Sequence, residues 1–395
     1  MNMFPPPYNN RLENEARYCR FSSYYNYLHL TGTTPNLRMP EAHLKIPSRK
    51  LGYSSIPALG LNFSSFFASY SPRTSPSEKL EFLSTLYDNG VVFWDTANIY
   101  GSSEELIGEW ISQHGKRSEI FIATKVGYDY RDLERFVNGS PEYISKAIDL
   151  ALKRLSVCYI DLLYLHRPDV TVPIEVTVGA MVEAVKAGKV SHIGLRECSP
   201  QTLRRAHAVY PISAIQVDYS PFNIEIEDDR IELLSTAREL GVSIVAIAPG
   251  PEVFCKSICH MDNNYVPMFE EETVAESFAR DKAYMEPIRR VAERLFHVGN
   301  SLQVPPASIG LAWTLSQGSD VIPVVGMSNK QDLEKFLPGL KLQLSNANLS
   351  LVRKTCEEAQ AQKSRFRPIE VVLKDFGNTP PLSTEIQVSF SNLLI

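Results

Sequence analysis

Short apolar segments rich in β-branched residues alternate with amphipathic helical segments along most of this chain. Strands separated by helices form right-handed βαβ units and therefore a parallel sheet. The eight predicted strands lie at 56–63, 91–94, 119–125, 159–166, 189–195, 214–220, 241–248 and 320–326. Eight such units most economically close as a (β/α)₈ TIM barrel of about 250 residues, so the 395 residues leave room for extensions.

Residues 44–63 predict an N-terminal β-hairpin that leads into the first barrel strand. The alternative fold is an open doubly wound sheet, which should carry a G-x-G-x-x-G turn after its first strand. The sequence contains no such turn, so we predict the barrel. We expect a disordered extension over 1–43, the barrel over 44–365 and a tail over 366–395.

Composition narrows the class of protein. A net charge of −5 gives no basic field for nucleic acid or an anionic membrane surface. No apolar run reaches the length of a membrane span, and the N-terminus lacks the apolar core of a signal peptide, so we predict a cytoplasmic protein. Among six cysteines only Cys255 and Cys259 cluster, beside His260, without a second ligand pair, and we therefore predict no metal site.

Four ionisable residues follow the C-terminal ends of three successive predicted strands. Asp95 ends the second strand, and Tyr100 lies in the loop after it. Lys125 ends the third strand and His166 the fourth. Because barrel active sites are built at this end of the strands, the four side chains should converge on one mouth, although each alone would be a weak signal.

The chemistry of these residues suggests proton transfer to an oxygen. A tyrosine has a reference pKa of about 10, so its use as a proton donor requires a cation that stabilises its anion. We expect Lys125 to be that cation and Asp95 to be the counter-charge of Lys125. His166 could donate a hydrogen bond to a carbonyl oxygen and orient it.

From about residue 45 to residue 359, the sequence resembles the aldo-keto reductases. The matching segments include WDTANIYGSSEELIG, IFIATKVG, IDLLYLHRPD, VKAGKVSHIGL, AIQVDYSPF and VIPVVGMSNKQDLEKF. The resemblance implies a monomeric barrel that binds NADPH across its mouth without a Rossmann motif and reduces an aldehyde or a ketone.

The resemblance also implies roles for individual residues. Tyr100 would be the general acid, Lys125 and Asp95 its tuning pair, and His166 the orienting residue. Gln216 would hold the nicotinamide carboxamide, and Tyr219 would stack on the nicotinamide ring. Ser328 and Asn329 would lie near the 2′-phosphate of the adenosine.

The sequence departs from the usual family pattern at three places. Arg196 and Glu197 stand where a small hydroxyl residue followed by Asn or Glu is usual, and 247–252 replaces the usual pyrophosphate loop. Lys335 and Phe336 replace a Glu-Asn pair near the last strand. We expect Arg196 either to bind an anion of the cofactor or substrate, or to pair internally with Glu197 or Asp218.

Two classes of function remain open from the sequence. The first is an NADPH-dependent carbonyl reductase. The second is a barrel with impaired cofactor binding that acts as a binding or regulatory protein, or as a non-redox proton-transfer enzyme. Substrate choice should depend on loops, for which the candidates are 63–70, 128–140, Trp94 and 249–280.

Overall fold

The computed structural model describes residues 46–67, 74–129, 136–248, 282–364, 373 and 376–382. The predicted extension over 1–43 and the predicted irregular loop over 249–280 lie outside these residues. Within the described part, every helix is too short or too polar to cross a lipid bilayer.

Eight parallel strands close into a barrel, which confirms the predicted (β/α)₈ fold. They are β3 (Gly60–Asn62), β4 (Phe93–Asp95), β5 (Phe121–Val126), β6 (Ile160–Leu165), β7 (Val190–Arg196), β8 (Ala214–Asp218), β9 (Ser243–Ala248) and β10 (Val321–Gly326). Each strand pairs with its neighbours in sequence, and β10 closes the barrel by pairing in parallel with β3.

The predicted N-terminal hairpin is confirmed. Strands β1 (Ser48–Leu51) and β2 (Ser54–Pro57) pair antiparallel around Gly52, whose φ of 55° is a conformation that glycine adopts readily. Leu51 and Ile56 of the hairpin are buried with Phe93 and Phe121 inside the barrel. Phe93 and Phe121 come before the polar residues on their strands. The hairpin therefore closes the N-terminal end of the barrel, opposite the mouth.

Helices surround the strands in the described part of the chain. They are α1 (Ser64–Phe67), α2 (Pro76–Asp88), α3 (Ser103–His114), α4 (Pro141–Leu155), α5 (Ile174–Lys186), α6 (Pro200–Val209), α7 (Leu233–Glu239), α8 (Lys282–Leu302), α9 (Pro306–Ser316), α10 (Lys330–Phe336) and α11 (Asn346–Lys363). Their starts follow local sequence signals. Ser75 forms a capping box with Glu78 at α2, and Ser199 accepts from the Thr202 N–H at α6.

The alternation of side chains along each strand divides the apolar residues into two clusters. The inner cluster fills the barrel and includes Phe93, Ala123, Tyr164 and Ala214. The outer cluster lies between strands and helices and is much larger. A strand residue that is two positions from an inner residue therefore also faces the interior.

Two segments differ from the sequence-based expectation in extent. Residues 227–240 have the sequence pattern of a single helix but are helical only at Leu233–Glu239, preceded by a 3₁₀ turn at Glu225–Glu227. Residues 376–382 of the predicted tail lie against the barrel, where the Gly377 N–H donates to Glu197 O at 3.1 Å and the Ser199 N–H donates to Gly377 O at 3.1 Å. The division of the chain into extension, barrel and tail stays a prediction.

Candidate active site

Strand alternation brings four of the predicted site residues into the barrel interior. Each comes two positions after a residue of the inner cluster: Asp95 ends β4, His166 directly follows β6, and Lys125 and Gln216 lie within β5 and β8. The pairs are Phe93 and Asp95, Ala123 and Lys125, Tyr164 and His166, and Ala214 and Gln216. Because the strands are parallel, these side chains meet at the C-terminal end of the barrel.

A buried ion pair lies at the centre of this group. The Lys125 ammonium forms a salt bridge with Asp95 Oδ1, and both side chains are 0% exposed. Lys125 Nζ also donates to Thr96 O at 2.8 Å, while Gln216 Nε2 donates to Asp95 Oδ2 at 2.8 Å. Burial raises the pKa of Asp95. The charge of Lys125 and the hydrogen bonds that Asp95 accepts from Lys125 and Gln216 act in the opposite direction.

Tyr100 and His166 lie beside this ion pair. Tyr100 belongs to the loop between β4 and α3, and its ring centroid is 5.0 Å from Lys125 Nζ. The His166 ring meets the Tyr100 ring edge-on at a centroid distance of 5.9 Å. The His166 ring centroid is also 4.7 Å from that of Tyr128. The four residues selected from the sequence are thus neighbours in the fold.

His166 lies in an environment that disfavours its charged form. It is 3% exposed. Burial lowers its pKa well below the ordinary value, and the positive charges of Lys125, Arg196 and Arg167 lower it further. The imidazole is therefore neutral at neutral pH. A neutral imidazole has one N–H donor and one acceptor nitrogen.

Arg196 ends β7 and pairs with an acid, which was one of the two alternatives expected from the sequence. Arg196 Nη2 lies 3.0 Å from Glu197 Oε1, and the other carboxylate oxygen of Glu197 pairs with Arg167. Glu197 has a φ of 45°, which is uncommon for a residue with a side chain. A cavity of about 180 Å³ adjoins this cluster and is lined by Arg167, Arg196, Glu197, Asp218, Asn223, Glu225, Ile226 and Phe376.

Several buried polar atoms around the mouth have no hydrogen-bond partner within the described residues, among them the Tyr164 hydroxyl and His166 Nδ1. Two more, Nε of Arg196 and Oε1 of Gln216, are a donor and an acceptor. The two residues are register partners in the pairing of β7 with β8. Among the same residues, no group of three or more His, Cys, Asp or Glu side chains could hold a metal ion, and Cys255, Cys259 and His260 lie outside them.

Tyr219 is not brought to the mouth, so its expected stacking on a nicotinamide ring does not fit the fold. It lies an odd number of positions after Gln216 and therefore faces the helices, where it belongs to the outer cluster. Its hydroxyl donates to Glu227 Oε1 at 2.5 Å, and its ring centroid is 6.1 Å from that of Trp313. The residue that faces the interior at the end of β9 is Ile247, which packs against the inner cluster.

Ser328 and Asn329 lie after β10 at the start of α10, with their side chains engaged locally. The Ser328 hydroxyl donates to Asp332 Oδ2 at 3.0 Å, and Asn329 Oδ1 accepts from the Asp332 N–H at 2.9 Å as the helix cap. Lys335 Nζ also donates to Asp332, at 3.2 Å. These groups form one small network around a carboxylate.

The same alternation corrects one residue that was expected to influence substrate choice. Trp94 is 0% exposed, faces the helices and lies 4.9 Å from the Trp110 ring, so it does not line the mouth.

The packing of α3 against β5 buries an acid that the sequence did not indicate. Glu104 is 1% exposed and lies behind β5, bound to Thr124 and Arg154. In the sequence, Glu104 is an acid in the first turn of α3, a position that is favourable for an exposed carboxylate and gives no signal of burial.

Comparison with known proteins identifies the group to which this chain is related. Residues 62–357 match the model of the Aldo/keto reductase family. The chain is 37% identical over 343 residues to the aldo-keto reductase yakc [NADP(+)] of Schizosaccharomyces pombe, covering 86% of this chain and 99% of that protein. It is 38% identical over 345 residues to the aldo-keto reductase str7 of Strobilurus tenacellus, covering 85% and 100%.

The chain belongs to the aldo-keto reductase family. Solved structures agree with the fold. A thermostable aldo-keto reductase, Tm1743, in complex with the inhibitor epalrestat, superposes with a TM-score of 0.61 at 24% identity, covering 78% of this chain and 99% of that one. A putative 2,5-diketo-D-gluconic acid reductase B superposes with a TM-score of 0.58 at 26% identity, covering 78% and 91%.

Proposed function

We propose that this aldo-keto reductase reduces an aldehyde or a ketone to an alcohol, with NADPH as the hydride donor. The observation that carries the proposal is the buried Lys125–Asp95 ion pair, with its ammonium 5.0 Å from the Tyr100 ring. A cation at this position stabilises the phenolate that remains after Tyr100 has given its proton to the carbonyl oxygen. Asp95 supplies the counter-charge that lets an ammonium exist in a fully buried position.

His166 suits the role of orienting the carbonyl. Because burial and nearby cations lower the pKa of His166, its ring is neutral and does not compete with Tyr100 as the proton donor. A neutral imidazole N–H can donate to the carbonyl oxygen and so hold it beside the phenol. The Tyr128 ring packs against the imidazole at a centroid distance of 4.7 Å.

The register partners Arg196 on β7 and Gln216 on β8 would suit the amide of a nicotinamide. A primary carboxamide carries both a donor and an acceptor, and the unpartnered Gln216 Oε1 and Arg196 Nε offer the complementary atoms. Ile247, and not Tyr219, would provide the apolar surface for the ring. NADPH, when bound, supplies the hydride. The relative from Schizosaccharomyces pombe carries NADP(+) in its name, which supports the phosphorylated cofactor.

The 2′-phosphate end is supported less directly. Ser328 and Asn329 lie at a helix start, where backbone N–H groups favour an anion. Their polar atoms currently surround Asp332, so contact with a phosphate requires them to exchange these hydrogen bonds. We propose that Lys335, which also contacts Asp332, contributes positive charge at this end. We also propose that the protein acts as a monomer in the cytoplasm.

A titration with NADPH separates this function from a barrel with impaired cofactor binding. We expect enhanced nicotinamide fluorescence and a micromolar Kd, followed by NADPH oxidation when a panel of aldehydes and ketones is added. The pair of Arg196 with Glu197 at the cofactor end of β7 is the observation that favours the alternative. Absence of binding at millimolar NADPH would rule out the reductase and leave the alternative.

A further inference from the structure

We propose that Glu104 and Arg154 are positioning residues that hold Tyr100 in place against Lys125 and His166. The inference rests on the proposed role of Tyr100 as proton donor, but its geometric content is independent of that role. Glu104 is a buried acid and Arg154 is its basic partner, and neither side chain reaches the mouth.

Glu104 ties the first turn of α3 to the strand that carries Lys125. Glu104 is 1% exposed, and glutamate is rarely buried to this degree without partners. The Thr124 hydroxyl donates to Glu104 Oε1 at 2.7 Å. Since Thr124 precedes Lys125 on β5, it faces outward where Lys125 faces inward, so Glu104 binds the back of the strand at the level of the ion pair.

Arg154, at the end of α4, joins Glu104 to the loop that carries Tyr100. Its Nη1 lies 3.3 Å from Glu104 Oε2 and donates to Asn98 O at 3.4 Å. The Asn98 N–H in turn donates to Lys125 O at 3.1 Å, and Asn98 Nδ2 donates to Tyr128 O at 2.9 Å. The middle of the loop is thus bound both to the Arg154–Glu104 pair and to the strand beneath it.

The base of the same loop is also closed. The Thr96 and Ser103 hydroxyls hydrogen-bond at 2.5 Å, and the Ser103 N–H donates to Tyr100 O at 3.1 Å. Helices α3 and α4 meet closely at Gly108, where an added Cβ would lie 2.7 Å from Arg154 O. The packing of the two helices and the Glu104–Arg154 pair therefore fix where the loop of 96–103 begins and ends.

The position of a proton donor is worth a large rate factor. A displacement of about 1 Å can cost about a hundredfold in rate. Removal of the Glu104 carboxylate releases the Thr124 hydroxyl and leaves Arg154 without its buried partner. The start of α3 is then free to shift relative to β5, and Tyr100, three residues before this helix, shifts with it.

The test compares Glu104→Ala with Glu104→Gln and with a matched control. We expect Glu104→Ala to lower kcat by about 10- to 100-fold with the NADPH Kd unchanged. Glu104→Gln retains an acceptor for Thr124 and should recover most of the loss. Glu105→Ala is the control, because Glu105 is the next residue, contacts the same arginine at 3.4 Å and is 50% exposed.

Two readouts distinguish positioning from mere loss of folded protein. The solvent deuterium isotope effect on kcat should rise in Glu104→Ala, because a misplaced donor makes proton transfer more rate-limiting. With tyrosine labelled by ¹³C at Cζ, the Tyr100 resonance, assigned by its loss in Tyr100→Phe, should shift or broaden in Glu104→Ala and stay unchanged in Glu105→Ala. Thr124→Val, which removes only the hydroxyl, should show the same two effects in weaker form if Glu104→Ala fails to fold.

An unchanged Tyr100 resonance in both Glu104→Ala and Thr124→Val would overturn the inference. The inference would also be overturned if kcat fell only in proportion to the concentration of protein that still binds NADPH and the solvent isotope effect stayed unchanged. If the resonance shifts but the unmodified protein reduces no carbonyl, the positioning role holds and the proposed reductase function fails.

Discussion

The Gln216 amide and the Asp95 carboxylate meet across the interior of the barrel, with Nε2 of one 2.8 Å from Oδ2 of the other. Their strands, β8 and β4, are four positions apart in a barrel of eight and therefore stand on opposite sides. Asp95 thus contacts Lys125 on the neighbouring strand and Gln216 on the facing strand. A change at Asp95 should affect both the proton-transfer group and the proposed cofactor end of the site.

Tyr100→Phe should lower kcat by about 10² to 10⁴, which is the usual contribution of a positioned acid. The NADPH Kd should stay nearly the same, because the aromatic ring and its packing remain. Stopped-flow kinetics at saturating NADPH, together with fluorescence titration, measure the two quantities. Unaltered turnover would remove Tyr100 from the proposed mechanism.

Lys125→Met should lower the free energy of unfolding by roughly 3 to 5 kcal/mol, because it leaves the Asp95 carboxylate buried without its cation. Urea denaturation monitored by tryptophan fluorescence gives the value. The matched double variant, Lys125→Met with Asp95→Asn, should recover part of this loss because no charge is then left unpaired. A double variant no more stable than Lys125→Met would contradict this account of the pair.

His166 should make the protein less stable as the pH falls. Its folded pKa lies well below the ordinary value of 6.5, so the unfolded chain binds the proton more readily than the folded one. This contribution is fully present above about pH 6.5 and is lost at up to about 1.4 kcal/mol per pH unit as the pH falls toward the folded pKa. His166→Gln should show a correspondingly flatter dependence of unfolding free energy on pH between 6.5 and 5, and parallel curves for the two proteins would refute the prediction.

Arg196→Ser, which restores the residue type usual in the family, tests the remaining alternative for Arg196. If Arg196 Nε contributes to cofactor binding, this change should weaken NADPH binding by about 1 to 3 kcal/mol, the range for a hydrogen bond from a charged group. Isothermal titration calorimetry measures the change. Tighter binding would indicate that the guanidinium obstructs the nicotinamide position and would favour the barrel with impaired cofactor binding.

Arg167→Gln is the matched control for that experiment. Arg167 contacts the same Glu197 carboxylate, so the substitution disturbs the pair while leaving Arg196 in place. We expect its effect on NADPH affinity to be smaller than that of Arg196→Ser. An equal effect would mean that the charge balance around Glu197, and not the Arg196 donor, governs binding.

The amino-acid sequence by itself determined the fold class and the group of polar residues at the strand ends. Repeated alternation of strands and helices leaves few topologies, and parallel strands place all their C-terminal ends at one mouth. The order of strands along the chain is therefore sufficient to predict that Asp95, Lys125 and His166 lie at one site. The positions of these three residues in the barrel agree with the sequence because they depend only on the order of strands and helices along the chain.

The tertiary structure decided which way the remaining side chains face and which partners they have. The alternation that turns Gln216 inward turns Tyr219 outward to Trp313, but because both faces of a barrel strand are buried, the sequence alone did not show which of the two residues faces the interior. Likewise Glu104 meets Thr124 and Arg154 only when α3, α4 and β5 pack together, and these residues are 20 and 50 positions apart from it in the chain. Such contacts depend on the relative placement of whole elements, which is set by packing over the entire core and not by the residues of any one segment.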